Sequence, residues 1–226
     1  MENEAKRIYA AMISALDDSI GAVLGVIEEQ GLEDNTLVIL ISDNGGGVAA
    51  HANNSPFRLG KHTLFEGGVR VPFVMKWPGH ISAGGTYEHP VSTLDVFPTA
   101  VAASRSTKTS TKELDGVDLI PSLQNDDNPP PHEALFWRNG ANWAVREGDW
   151  KLIYAAERHW LYDLSSDVGE KYNVSDANPD ISGLKGELSS ICKTNKNALR
   201  TCQGGLQNAP DRAFSILPWR QHVRAV

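Results

Sequence analysis

At 226 residues, 41% of them hydrophobic, the chain holds enough material for one large or two modest domains with a real core. A formal net charge of −7 excludes a broad nucleic-acid-binding face, and no run reaches the ~18 successive apolar residues of a membrane span. Cys192 and Cys202, the only cysteines, are too few for a disulfide framework or a cysteine-based zinc site, and either pair with each other or stay thiols.

In chain order, "MENEAKRIYAAM" is acidic and helical rather than a signal peptide. Tyr9, Ile13, Leu16, Ile20, Val23, Leu24 and Ile27 recur every three or four residues, predicting an amphipathic helix over about 5–30 that Gly31 ends. Leu37–Ile41 is an unbroken apolar, largely β-branched run and predicts a strand buried on both faces, as in parallel sheets. It runs into Asp43, Asn44 and three glycines. Ligands of α/β sheets gather at the carboxyl ends of strands, and an Asp–Asn pair offers a charged and a neutral oxygen to a hard cation such as calcium. A tight strand-to-loop turn uses the same residue types.

Residues 53–73, "NNSPFRLGKHTLFEGGVRVPF", set Arg58, Lys61, His62 and Arg70 against one acid, Glu66, inside a net acidic chain. Such a local cationic loop suits a small anionic group; the alternative is a solvated loop in which Glu66 pairs with Arg70. Val71–Trp77 predicts a second buried strand, and "STLDVFPTAVAAS" a short helix capped by Ser92 and Asp95. Neither G-x-G-x-x-G nor G-x-x-x-x-G-K-[ST] occurs, which argues against a nucleotide loop. Helices alternating with buried strands predict an α/β fold.

Composition then shifts to polar and proline-rich stretches at 104–113 and 125–133. Beyond them, aromatic-rich runs punctuated by Asn139-Gly140 and Gly148-Asp149 predict an antiparallel meander, with Trp137, Trp143, Trp150 and Trp160 as core candidates. A helix is expected next, capped by Asn178 with Pro179 at N1 and Ile181, Leu184, Leu188 and Ile191 on one face. Asn53-Asn54-Ser55 and Asn173-Val174-Ser175 are glycosylation-type triplets. The last thirty or so residues show no clear periodicity.

The stretches "AAMISALDDSIGAVLGVIEEQGLEDNTLVILISDNGG", "NNSPFRLGKHTLFEGGVRVPFVMKWPG", "STLDVFPT", "LDGVDLIPSL", "REGDWKLIY" and "LYDLSSDVGEKYNVSDANPDI" occur in an order that resembles the formylglycine-dependent sulfatases of the alkaline-phosphatase superfamily. The likeness covers roughly residues 5–190 and falls on the family's C-terminal part, with "NNSPFR" and "GKHTLFEGG" leaning towards arylsulfatase B and N-acetylgalactosamine-sulfatase-like carbohydrate sulfatases. The fold it implies is the C-terminal portion of an alkaline-phosphatase-like α/β sandwich at 1–104, a connection at 105–132, and a small antiparallel β-sheet and helix subdomain at 133–226.

The resemblance implies a sulfuric ester hydrolase acting on a sulfated carbohydrate or aryl sulfate. Asp43 and Asn44 match the pair that completes the shell of one active-site calcium ion, and Lys61 matches the lysine that contacts the sulfate group during catalysis. Arg58 and His62 are weaker substrate-binding candidates, and catalysis is not assigned to His62. The family's nucleophile is a formylglycine made in a C-x-P-S-R-like motif. Here Cys192 precedes "KTNK" and Cys202 precedes "QGGL", so that motif is absent. The family's Asp-Asp metal pair has no counterpart in Asp17-Asp18, inside the first helix, or in Asp126-Asp127, in the proline-rich connection. The chain is therefore expected to be the back half of a sulfatase, marginally stable and inactive alone. The alternative is a catalytically inactive remnant that at most binds anions or glycans. A phosphate-ester hydrolase of the superfamily is disfavoured, because no Asp-His metal pair follows "DNG". Relatives are mostly periplasmic, secreted or lysosomal, and the same localisation is implied here.

Overall fold

The first helix, α1 (Glu2–Glu29), ends where glycine permits it to. Gly31 adopts φ 62°, Leu32 N–H donates to Ile27 C=O at 3.0 Å and Gly31 N–H to Glu28 C=O at 2.9 Å, the two bonds of a Schellman stop. The protein's structure, a computed structural model, describes residues 2–106, 114–125, 128–178 and 220–225. These divide into two compact units, one drawn from 1–54, 70–132 and 219–226, the other from 55–69 and 133–218.

In the first unit the predicted apolar face of α1 forms and is covered only in part by the described residues: Tyr9, Ile20, Leu24 and Ile27 are half-buried, whereas Ile13 is 50% exposed, Leu16 52% and Val23 60%. By length and composition alone α1 would suffice to cross a membrane. Asp17 and Asp18 sit within it, and an aspartate at a bilayer centre costs ~2.5–3.5 kcal/mol. The strand β1 (Val38–Ile41) pairs with β2 (Phe73–Lys76) in antiparallel register, Ile39 opposite Met75. This corrects the sequence expectation of a parallel strand buried on both faces. Among the described residues β1 is an edge strand with Leu40 40% exposed, and an apolar run alone does not say which neighbours a strand has.

The sheet runs β1-β2-β8-β3, with β3 at Thr86–Ser92 and β8 at Arg220–Ala225. β8 lies parallel to β2 and antiparallel to β3, so the tail without periodicity supplies an inner strand. The expected cap is present. Ser92 and Asp95 form a capping box over a short 3-10 turn that leads into α3 (Val96–Ala103). Asp95, fully buried, also accepts from Val117 N–H at 2.9 Å and lies 2.9 Å from His132 Nε2. It is a structural hub, as expected of a helix-start residue. Phe73, Met75, Tyr87, Val91 and Leu119 form the core, each worth ~1.5–3 kcal/mol of burial, and α4 (Ile120–Gln124) follows Leu119.

The second unit is the predicted meander: β4 (Ala134–Asn139), β5 (Asn142–Glu147), β6 (Trp150–Ala155) and β7 (Arg158–Asp163), all antiparallel neighbours. Two turns carry the expected glycines, Gly140 at φ 60° and Gly148 at φ 52°. The third, Ala156-Glu157, has both residues at positive φ without a glycine, the I′ geometry that matches strand twist. One sheet face packs Leu135, Trp137, Ala144, Ile153 and Tyr162 against Leu64 and Val69 of the 55–69 segment; the other buries Val145, Leu152 and Leu161. The sequence boundaries placed 55–69 with the first domain, whereas its apolar residues complete the core of the second unit. Trp137 is buried but Trp150 is 42% exposed. Asn173 Oδ1 accepts from Leu161 N–H and Ser175 N–H, so this triplet's asparagine is used inside the fold. The helix expected over Pro179, Ile181, Leu184, Leu188 and Ile191, together with Cys192, Cys202 and Asp126-Asp127, lies outside the described residues.

Candidate functional site

In the first unit β1 delivers Asp43 and Asn44 to its carboxyl end, with Asp43 exposed and Asn44 half-buried. Asn44 Nδ2 donates to Asp43 Oδ1 at 2.8 Å, and Ser42 Oγ donates to Asn44 C=O at 2.9 Å. Of the glycines that follow, Gly46 serves the loop's own closure. Gly46 exchanges two 2.8 Å hydrogen bonds with the Asn54 side chain, and a Cβ at Gly46 would collide with Ala52. That space is filled from within the chain rather than left for a ligand.

The donor types of Asp43 and Asn44 suit a hard cation, but two side chains fall short of the six to eight oxygens calcium takes. Among the described residues no group of three or more His, Cys, Asp or Glu is placed to hold a metal ion. These two residues alone therefore do not make a calcium site.

In the second unit, residues 58–68 form a loop tied at its base, neck and tip. At the neck, Gly67 N–H donates to Arg58 C=O at 2.9 Å and Thr63 N–H to Gly60 C=O at 3.1 Å. A Cβ at Gly67 would strike the Arg58 and Leu59 carbonyls, so only glycine allows the two chain segments to come this close. At the tip, Lys61 and His62 are exposed. His62 adopts φ 73°, and its carbonyl accepts from Asn139 Nδ2 at 3.1 Å.

Arg58 points the other way. Its Nη1 donates to Tyr162 Oη at 3.0 Å and to Glu170 C=O at 2.7 Å, and its guanidinium lies 4.6 Å from the Phe65 ring centroid. The guanidinium of this candidate substrate contact is engaged inside the unit.

At the base is Glu66, fully buried and the first residue of the short α2 (Glu66–Val69). The sequence offered Arg70 as its partner. The carboxylate meets Lys151 Nζ at 2.8 Å and Arg146 Nη1 at 3.6 Å, two partners distant in sequence. Lys151, also fully buried, reaches Glu170 Oε1 at 2.9 Å, and Glu170 Oε2 accepts from Glu66 N–H at 2.6 Å. Burial pushes the Glu170 carboxyl up, the Lys151 ammonium opposes that shift, and the Glu66 charge adds to it. Desolvation likewise pushes the Tyr162 hydroxyl up to about 12, against the pull of Arg58. Sequence reasoning missed Lys151, Glu170 and Tyr162. One signal was available: strand alternation puts Lys151 on the same face as core Ile153.

Of the expected site residues, the structure pairs Asp43 with Asn44 in one unit and carries Lys61 and His62 on one loop tip of the other, with Arg58 at that loop's neck.

Two family models match the chain: "Sulfatase" over residues 2–105 and "N-sulphoglucosamine sulphohydrolase, C-terminal" over residues 58–196. The chain is 29% identical over 230 residues to N-acetylgalactosamine-6-sulfatase of Homo sapiens, covering 86% of this chain and 44% of that protein. It is 34% identical over 200 residues to a sulfatase of Formosa agariphila, covering 76% and 36%. The crystal structure of Ps i-CgsB in complex with k-i-k-neocarrahexaose superposes with a TM-score of 0.76 at 31% identity, over 84% of this chain and 44% of that one. The chain thus spans less than half the length of these relatives. With a family model matched over most of its length and a fold shared with solved relatives, the chain belongs to the sulfatase family of the alkaline-phosphatase superfamily.

Proposed function

We propose that this chain is part of a sulfuric ester hydrolase acting on a sulfated carbohydrate, in which Lys61 contacts the sulfate group. The observation that carries this reading is the Lys61 tip, an exposed cation on a loop that is otherwise tied down at the base and neck. Sulfate-ester hydrolysis must neutralise charge on the sulfuryl oxygens. An ammonium held in place before the reaction does so without reorganising, and removing such a contact costs ~2.7–4 kcal/mol by analogy with oxyanion-hole donors. Family membership supports the reaction class, and the names of the relatives, N-acetylgalactosamine-6-sulfatase and a complex with k-i-k-neocarrahexaose, support a sugar substrate.

Asp43 and Asn44 would contribute two oxygens to a calcium ion, which when bound supplies Lewis-acid positive charge. No C-x-P-S-R run occurs in this sequence, so on this reading another polypeptide segment would supply the nucleophile. That absence also favours a second reading, an inactive chain that only binds sulfated glycans. A calorimetric titration of inorganic sulfate into the full chain and into its Lys61→Met variant tests the shared element. Binding that disappears in the variant supports a sulfate contact at Lys61; equal binding by both overturns it.

A further inference from the structure

We propose that Glu66 is a positioning residue for Lys61, acting through a buried ionic lock that it forms with Lys151, Arg146 and Glu170. The inference rests on the reading of Lys61 as a sulfate contact. Glu66 lies five residues beyond Lys61 and is held from two directions. Its carboxylate is fixed by Lys151 Nζ at 2.8 Å and approached by Arg146 at 3.6 Å, while its N–H is fixed by Glu170 Oε2 at 2.6 Å. Glu66, Lys151 and Glu170 are all fully buried, where charge-assisted bonds are strong and a misplaced charge is costly.

The lock reaches the tip by a short path. The residue after Glu66 is Gly67, whose N–H closes the loop on Arg58 C=O at 2.9 Å. Arg58 is itself anchored to Glu170 C=O at 2.7 Å. Glu170 therefore holds both strands of the loop's neck, one through its carboxylate and one through its backbone carbonyl. Only residues 59–65 remain to span the neck, and the Asn139 bond to His62 C=O pins the centre of that span. With so few free torsions, moving Glu66 moves the Lys61 backbone. A buried carboxylate serving α2 alone would need none of these links to Arg58.

Glu66→Gln is the first test, because it leaves Lys151 paired with Glu170 and Arg146 beside Asp149. Lys151→Met with Glu170→Gln is the second, removing one charge of each sign and leaving Glu66 with Arg146. Amide hydrogen exchange is followed at Thr63 and Gly67 in the loop and at Val145 and Ile153 in the sheet. The full chain carries ¹³C-methylated lysines, which keep their charge, and the Lys61 methyl signal is titrated with inorganic sulfate. Loss of one charge-assisted bond should speed loop exchange about tenfold and raise the half-saturating sulfate concentration about tenfold, with sheet exchange unchanged.

Loop and sheet amides accelerating together would make Glu66 an ordinary core residue and overturn the proposal. Unchanged loop exchange in both variants, or neither variant folding, would overturn it as well. Wild-type sulfate binding by Lys61→Met would sink the sulfate reading instead, and the exchange comparison would still decide whether Glu66 holds the tip.

Discussion

Lys151 Nζ lies 2.8 Å from Glu66 Oε1 although 85 positions separate the two residues, and neither side chain is exposed to solvent. Removing one member of such a buried pair leaves an uncompensated charge, which costs ~3–5 kcal/mol, whereas removing the charges together is close to neutral. Lys151→Met should therefore lower unfolding stability by about that amount, and adding Glu170→Gln should restore the larger part. Urea unfolding followed by tryptophan fluorescence checks both.

Tyr162 gives a signature at high pH. Its hydroxyl titrates at about 12 in the folded chain against 10.0 ordinarily. A group whose pKa is raised by folding keeps its contribution below the unfolded value and loses it as pH rises through the folded one. Stability should thus decline from pH 10 to about 12. Tyr162→Phe should flatten that part of the profile. Ultraviolet absorbance should show one tyrosine ionising later than the rest.

Asp95 collects three partners that no other described side chain replaces together: Ser92 N–H at 2.7 Å, Val117 N–H at 2.9 Å and His132 Nε2 at 2.9 Å. Asp95→Ala orphans two backbone donors, one of them half of the capping box, and removes the partner of His132, and should cost about 2–4 kcal/mol. Asp95→Asn, which keeps an acceptor, should cost less. Thermal unfolding of the two variants under identical conditions ranks them.

Calcium should bind the chain alone weakly. Two side-chain oxygens at Asp43 and Asn44 are a third or less of a full shell, so a Kd of about 1 mM or weaker is expected. Titration with calcium, read at the Asn44 amide signal, tests this. Micromolar affinity abolished by Asp43→Asn would mean that other residues of this chain complete the shell.

Local features were readable in the sequence and long-range ones were not. The meander announced itself through aromatic alternation and Gly140 and Gly148, and the Ser92/Asp95 cap through spacing alone. The Ala156-Glu157 turn was silent because its two residues reach positive φ without a glycine. Burial of β1 was overestimated, since Leu40 belongs to a strand with one described neighbour and periodicity does not count neighbours. At the site, the sequence grouped Arg58, Lys61 and His62 in one cationic loop, but the structure exposes Lys61 and His62 and turns Arg58 inward. What separates them is Tyr162 and Glu170, more than 100 positions away. Lys151 as a partner of Glu66 was missed for the same reason, because 85 positions separate the two in sequence.

The most direct measurement is sulfate release from a sulfated N-acetylgalactosamine, by the pure chain and by the chain folded together with a polypeptide that supplies a C-x-P-S-R motif and an Asp-Asp pair. The expected result is no turnover by the chain alone and turnover by the completed enzyme, reduced by about 10²–10³ in Lys61→Ala. Sulfate release by the pure chain, or a completed enzyme indifferent to Lys61→Ala, would contradict the role assigned to this loop.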